Sequence, residues 1–135
     1  MKKIQNLLLL TLLFSFTMVA CHDHDHDHDE DDTNPPAITI TAPAVDASIT
    51  GVVTIAGVVN DDESLHEMSI KVTKDSDNAE LFAAAPEVHD LLSYTIAEVW
   101  TPTGIAAETA VTLTVTVEDH AAHIVTKTVK FKVKA

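Results

Sequence analysis

Val111-Thr112-Leu113-Thr114-Val115-Thr116-Val117 alternates apolar and hydroxylated side chains without a break. A strand has a side-chain period of two, so this stretch sets Val111, Leu113, Val115 and Val117 on one face and the threonines on the other. A helix would scatter the same residues around its axis. β-branched side chains are stiff at χ1 and pack well on a pleated surface, which strengthens the preference for strand. The next run repeats the pattern, with Val125, Val129, Phe131 and Val133 set against Thr126, Thr128, Lys130 and Lys132. These two strands, one face buried and one wet, decide the fold class.

Upstream, Tyr94 and Ile96 alternate with Thr95 and Ala97 as far as Trp100, and Pro102 with Gly104 ends the run. Residues 65–73 place Met68, Ile70 and Val72 opposite Ser69, Lys71 and Thr73, while Val53, Ile55 and Val59 share one parity. Ile38 and Ile40 alternate with Thr39 and Thr41 before Pro43. Asp75-Ser76-Asp77-Asn78 is a turn by composition, and a short strand follows around Leu81 and Phe82, which Ala83-Ala84-Ala85 leaves open to helix. About seven strands with hairpin-length breaks predict an all-β domain, an immunoglobulin-like antiparallel β-sandwich, with a small barrel as the alternative. Its boundaries are 35–135, because Pro35 and Pro36 are hostile to helix and the strand pattern starts directly after them.

The chain has 135 residues, 46% of them hydrophobic but only 4% aromatic, so the core must be built from Val, Ile, Leu and Ala. Its net charge is −13, and every basic residue is a lysine. An acidic chain with no guanidinium fork repels polyanions and cannot grip phosphate at two points, which argues against nucleic-acid binding and phosphoryl transfer. No nucleophile-elbow serine or glycine-rich phosphate loop is present, so the sequence predicts a non-enzymatic protein.

Residues 1–20 begin with Lys2 and Lys3, continue through an apolar run from Leu7 to Phe16 and finish on small or medium residues before Cys21. That is the layout of a secretory signal peptide, and the run is short for a membrane span. Residues 21–34 then form a tether rich in His and Asp, with nothing apolar to bury, expected to be disordered. In it, His22, His24, His26 and His28 are interleaved with Asp23, Asp25, Asp27 and Asp29. Imidazole suits zinc, copper or nickel, and carboxylates add oxygen ligands, so the tail is either a divalent-metal binder or a spacer.

Met18-Val19-Ala20-Cys21 resembles the lipobox of bacterial lipoproteins, with Met18 in place of the usual leucine. The resemblance implies cleavage before Cys21, acylation of its thiol with palmitate-like chains, and a lipid-anchored protein of the cell envelope, at the outer membrane and on either face of it. The acid-rich segment after Cys21 is similar to the export signals of surface lipoproteins of Bacteroidetes. Asn60-Asp61-Asp62-Glu63-Ser64-Leu65 and Val117-Glu118-Asp119-His120 resemble loop signatures of bacterial immunoglobulin-like and cadherin-like modules. In those modules the last loop commonly reads Asp-x-x-Gly-Asn, where this chain has Asp119-His120-Ala121-Ala122-His123. The mature chain as a whole is similar to the lipoprotein family called domain of unknown function 4625. That resemblance implies a fold and an anchor, without an activity.

In an immunoglobulin sandwich alternate connections open at the same end. That end is expected to gather Asp61, Asp62, Glu63 and His66 from one loop, Glu87, His89 and Asp90 from a second, and Glu118, Asp119, His120 and His123 from a third. Two ligand sets are open: His89, His120 and His123 with Asp119 for zinc or copper, or Asp61, Asp62, Glu63 and Asp119 for calcium. Solvated loops of the same composition are the plain alternative. The functional expectation is a lipid-anchored binding or accessory module whose tail takes up divalent transition metal. The alternative is a surface adhesion or assembly module, calcium-stabilised, that recognises an envelope protein or glycan, with the tail only a spacer.

Overall fold

The computed structural model describes residues 32–134. The leader, Cys21 and the tail from His22 to Asp29 lie outside the described residues. Eight strands follow in order: β1 (Ala37–Ala42), β2 (Ser48–Thr50), β3 (Val53–Asn60), β4 (Leu65–Lys74), β5 (Glu80–Ala84), β6 (Ser93–Trp100), β7 (Thr109–Asp119) and β8 (Ile124–Lys134). They form two sheets, β1-β3-β6 and β2-β8-β7-β4-β5. That ordering is the immunoglobulin arrangement, in which the chain crosses repeatedly between two packed sheets and β4-β5 and β7-β8 are neighbours within one of them.

The segment left open to helix is strand β5, because its residues pair with β4, Val72 opposite Phe82 and Ile70 opposite Ala84. Tertiary pairing overrides the helical preference of the alanines. Strand β2 adds one to the expected seven. Its three residues run parallel to β8, so the sandwich is antiparallel except along this strip. β8 is therefore not a bare edge there, and Lys132 on it sits 3.2 Å from Glu108. That ion pair, with the Ser48 hydroxyl, holds the Glu108 carboxyl below its ordinary value.

β7 buries every second residue from Val111 to Asp119, as the alternation requires. Leu113 lies opposite Val129 on one side and Val72 on the other, at the centre of the larger sheet. Ile38, Val53, Ile55, Val59 and Ile96 supply the facing layer. Trp100 closes one end of the core, its ring 6.2 Å from that of Phe82 across the sheets. On the flank, Lys127 spans the two layers, its Nζ donating to the Ile38 carbonyl at 3.0 Å.

Candidate metal centre at the loop rim

The β3–β4, β5–β6 and β7–β8 connections lie together at one end of the sandwich and are stapled by backbone hydrogen bonds. Leu65 N donates to Leu91 O (2.8 Å), Asp90 N to Leu65 O (3.0 Å), Asp61 N to Leu92 O (2.9 Å) and His120 N to Ser64 O (3.2 Å). Each connection thus borrows rigidity from its neighbours, which is the condition for a site of fixed geometry on loops.

His66, His89 and His120 meet on this frame. One ring nitrogen from each lies within 4.8 Å of the others. The ring centroids are 4.7 to 5.3 Å apart, and the rings meet edge to face. All three rings are exposed on the solvent side. Asp90 completes the group: its Oδ2 is 3.1 Å from His89 Nδ1 and its Oδ1 3.1 Å from His120 Nε2. A carboxylate against one nitrogen of an imidazole orients the ring and leaves the other nitrogen as the ligand, the usual outer support of a metal-binding histidine. Asp90 takes a left-handed backbone, φ 64°, which aspartate tolerates better than most residues.

His66 reaches the trio through a β-bulge. Leu65 pairs with Asp119 and Glu67 with Glu118, so His66 is the extra residue on β4. A bulge re-aims a side chain, and here it keeps His66 at the rim while Leu65 and Met68 both stay buried. The expected set of His89, His120 and His123 is therefore altered in one member: the structure brings His66 to the pair, and His123 turns elsewhere.

His123 is bound to Asp119. The buried Asp119 carboxylate accepts the His123 backbone N–H at 2.8 Å and pairs with its Nδ1 at 2.7 Å. Burial pushes the Asp119 carboxyl up, but these hydrogen bonds, the His123 charge and the Ala121 N–H outweigh it and hold the group below its ordinary value. Asp119 thereby locks the β7–β8 turn that carries His120. Ala122 in that turn has φ 66° and occupies the glycine position of the Asp-x-x-Gly-Asn pattern. A Cβ in the left-handed region costs about 1 kcal/mol, so Ala122→Gly is expected to raise stability by roughly that much in urea unfolding, with the slope unchanged.

The acidic residues fall into separate groups. Asp32 lies within ligand distance of Asp119 and His123, and also of Asp61 and Asp62. Asn34 Nδ2 donates to Asp62 Oδ2 at 2.7 Å, so the last tether residues already engage the domain. Asp61 Oδ2 is buried with no hydrogen-bond partner among the described residues. Glu63 belongs to neither group; its backbone N–H donates to Asp61 Oδ1 at 3.1 Å. Glu87 bonds the backbone of His89, and Glu118 lies outside the trio, lining a shallow depression with Met68, Thr116 and Ile124. Sequence reading did not include Asp32, which composition assigns to the tail.

Strand order and loop clustering define the class of protein: an immunoglobulin-like β-sandwich with a histidine-bearing rim. No protein-family pattern matches the chain, and no curated protein matches it. Among solved structures it is similar to CopC from Methylosinus trichosporium OB3b, at 12% identity and a TM-score of 0.46, over 73% of this chain and 94% of that one. It is also similar to murine CRIg, at 13% identity and a TM-score of 0.44, over 75% of this chain and 98% of that one.

Proposed function

We propose that this is a non-enzymatic, lipid-anchored module of the cell envelope, tethered through Cys21, that binds a divalent transition metal at His66, His89 and His120. The convergence of three imidazoles on a stapled rim, with Asp90 behind two of them, carries this reading. Three neutral nitrogen ligands with a carboxylate support suit zinc, copper or nickel and are a poor match to calcium, which takes oxygen. The lipobox resemblance supports the anchor.

Isothermal titration with zinc and copper(II) tests the site. His66→Ala, His89→Ala and His120→Ala are each expected to weaken rim binding about 100-fold, and Asp90→Ala about tenfold, since outer-shell partners are worth ten- to a hundredfold. Because imidazole must be neutral to bind, metal uptake should release protons and weaken on acidification. Unchanged binding in all three histidine variants refutes the reading.

One observation favours a second reading. The orphaned Asp61 Oδ2, beside Asp32 and Asp62, suits a hard cation such as calcium and the calcium-stabilised adhesion or assembly role. A calcium-dependent rise in Tm that Asp61→Asn abolishes would support it.

A further inference from the structure

The outer face of the β2-β8-β7-β4-β5 sheet is sorted by charge along its strands. At the rim end, Glu67 on β4 lies directly opposite Glu118 on β7. Like charges so placed repel, and neither carboxylate has an ion pair or a hydrogen bond among the described residues. Ile124, the partner of Glu118 on β8, is 64% exposed beside them. Toward the other end the face turns basic, with Lys130, Lys132 and Lys134 all exposed on β8. Threonines separate the two ends: Thr112, Thr114 and Thr116 on β7, Thr126 and Thr128 on β8.

A net charge of −13 drives copies of this chain apart wherever acid meets acid. This face is an exception, because its acidic end complements its own basic end once a copy is turned through a two-fold axis lying across the strands. The register places that axis. Lys132 is the partner of Ala110, and Ala110 and Glu118 stand four residues either side of Thr114. An axis at Thr114 therefore sets Glu67 and Glu118 of one copy over Lys132 and Lys130 of the other, and the symmetry repeats the contact. We propose that this face is where two copies of the chain pack, sheet against sheet, into a two-fold dimer.

The size of the face suits that role. Five strands, the longest of 11 residues, cover about 20 Å by 35 Å, or roughly 700 Å² a side, near the ~800 Å² that each partner gives to a standard interface. Small threonine side chains let two sheets approach to the usual ~10 Å. The lysines are free to change partners: Lys130 is 3.8 Å from Asp75 and Lys132 3.2 Å from Glu108, in exposed pairs that contribute little to the monomer. Lys71, opposite Thr114 and so near the axis, is balanced by Glu80 at 3.9 Å. The inference stands apart from the rim reading, since it uses none of the three histidines.

Charge reversal on the full-length chain tests it, with association followed by sedimentation velocity in density-matched detergent. The wild type is expected to dimerise with rising concentration and to dissociate in about 0.5 M salt. Glu67→Lys with Glu118→Lys, and separately Lys130→Glu with Lys132→Glu, should each raise the dissociation constant about 100-fold, because like charges then meet. Mixing the two variants should restore a dimer to within about tenfold of the wild type, since each reversed end now meets its opposite. Should a reversal fail to fold by circular dichroism, Glu67→Gln with Glu118→Gln removes the attraction alone and should weaken the dimer about tenfold. A wild type that stays monomeric at about 1 mM overturns the proposal, as that is weaker than a specific interface of this area. So does a dimer indifferent to both reversals, which assigns association to another face, and so does a mixture that associates no better than either variant alone.

Discussion

Asp119→Ala is expected to lower stability by about 3 kcal/mol and to loosen the His66–His89–His120 rim at the same time. The residue is 1% exposed and accepts both the backbone N–H and the ring nitrogen of His123. Truncation leaves a cavity and strands the donors that faced the carboxylate, each a cost in the same direction. Asp119→Asn keeps the volume and one acceptor, and should cost about half as much. The pH dependence follows from the direction of the Asp119 shift. A carboxyl held lower in the folded protein than in the unfolded chain adds stability above the ordinary aspartate range, and that stability disappears as pH falls through the folded value. Wild type should therefore lose stability on acidification below about pH 4, and Asp119→Asn should lose less over that interval. Urea unfolding at a series of pH values checks the magnitude and the slope. If the variant and the wild type show parallel curves, Asp119 is not the group responsible.

The same residue illustrates what the sequence discloses and what it hides. Strands β3, β4, β6, β7 and β8 are legible because burial on one face imposes a period of two, and β7 repeats it for the whole of its length. β2 is not legible, since three residues carry no period, and it exists only because β8 offers unpaired backbone groups beside it. The rim is legible as a gathering of polar loops, because the sandwich topology dictates which connections share an end. Its membership is a finer matter. Asp119 continues the inward parity of Val115 and Val117, and that parity places its carboxylate inside, where it bonds His123 and removes that ring from the trio.

His66 had a signal that the period-two reading passes over. Met68, Ile70 and Val72 are spaced by two, but Leu65 and Met68 are spaced by three, both buried. An odd interval between inward residues of one strand is the mark of a bulge, and the extra residue it creates is His66. Asp32 had no such signal. Its position depends on contacts across the sandwich to Asp61, Asp62 and Asp119, and composition alone groups it with the acids of the tail.

Gly57→Ala is expected to have the larger effect of the two. Gly57 lies in the middle of β3, between β1 and β6, with Ile40 as its partner on one side and Ile96 on the other. A Cβ built there overlaps the carbonyl oxygen of Thr39 and lies 3.1 Å from the Ile40 Cα, so the clash is with backbone, which no rotamer change can relieve. The register of β1 shifts between Ile40 and Ala42, beside this contact, and the irregularity brings the β1 backbone over the glycine. Alanine requires β1 to lift away from β3. Lifting β1 exposes Ile38, breaks the Lys127 bond to its carbonyl, and frees the segment from Asp32 to Asn34 that ends at the rim. A loss of more than about 3 kcal/mol follows, consistent with overpacking that cannot be absorbed by side chains. Hydrogen exchange should report first on the amides of β1 and of Gly57's neighbours in β3, while the central amides of β7 keep their protection. Exchange that accelerates equally in β1 and β7 would show global destabilisation without release of the strand, and the steric account of Gly57 would then be wrong.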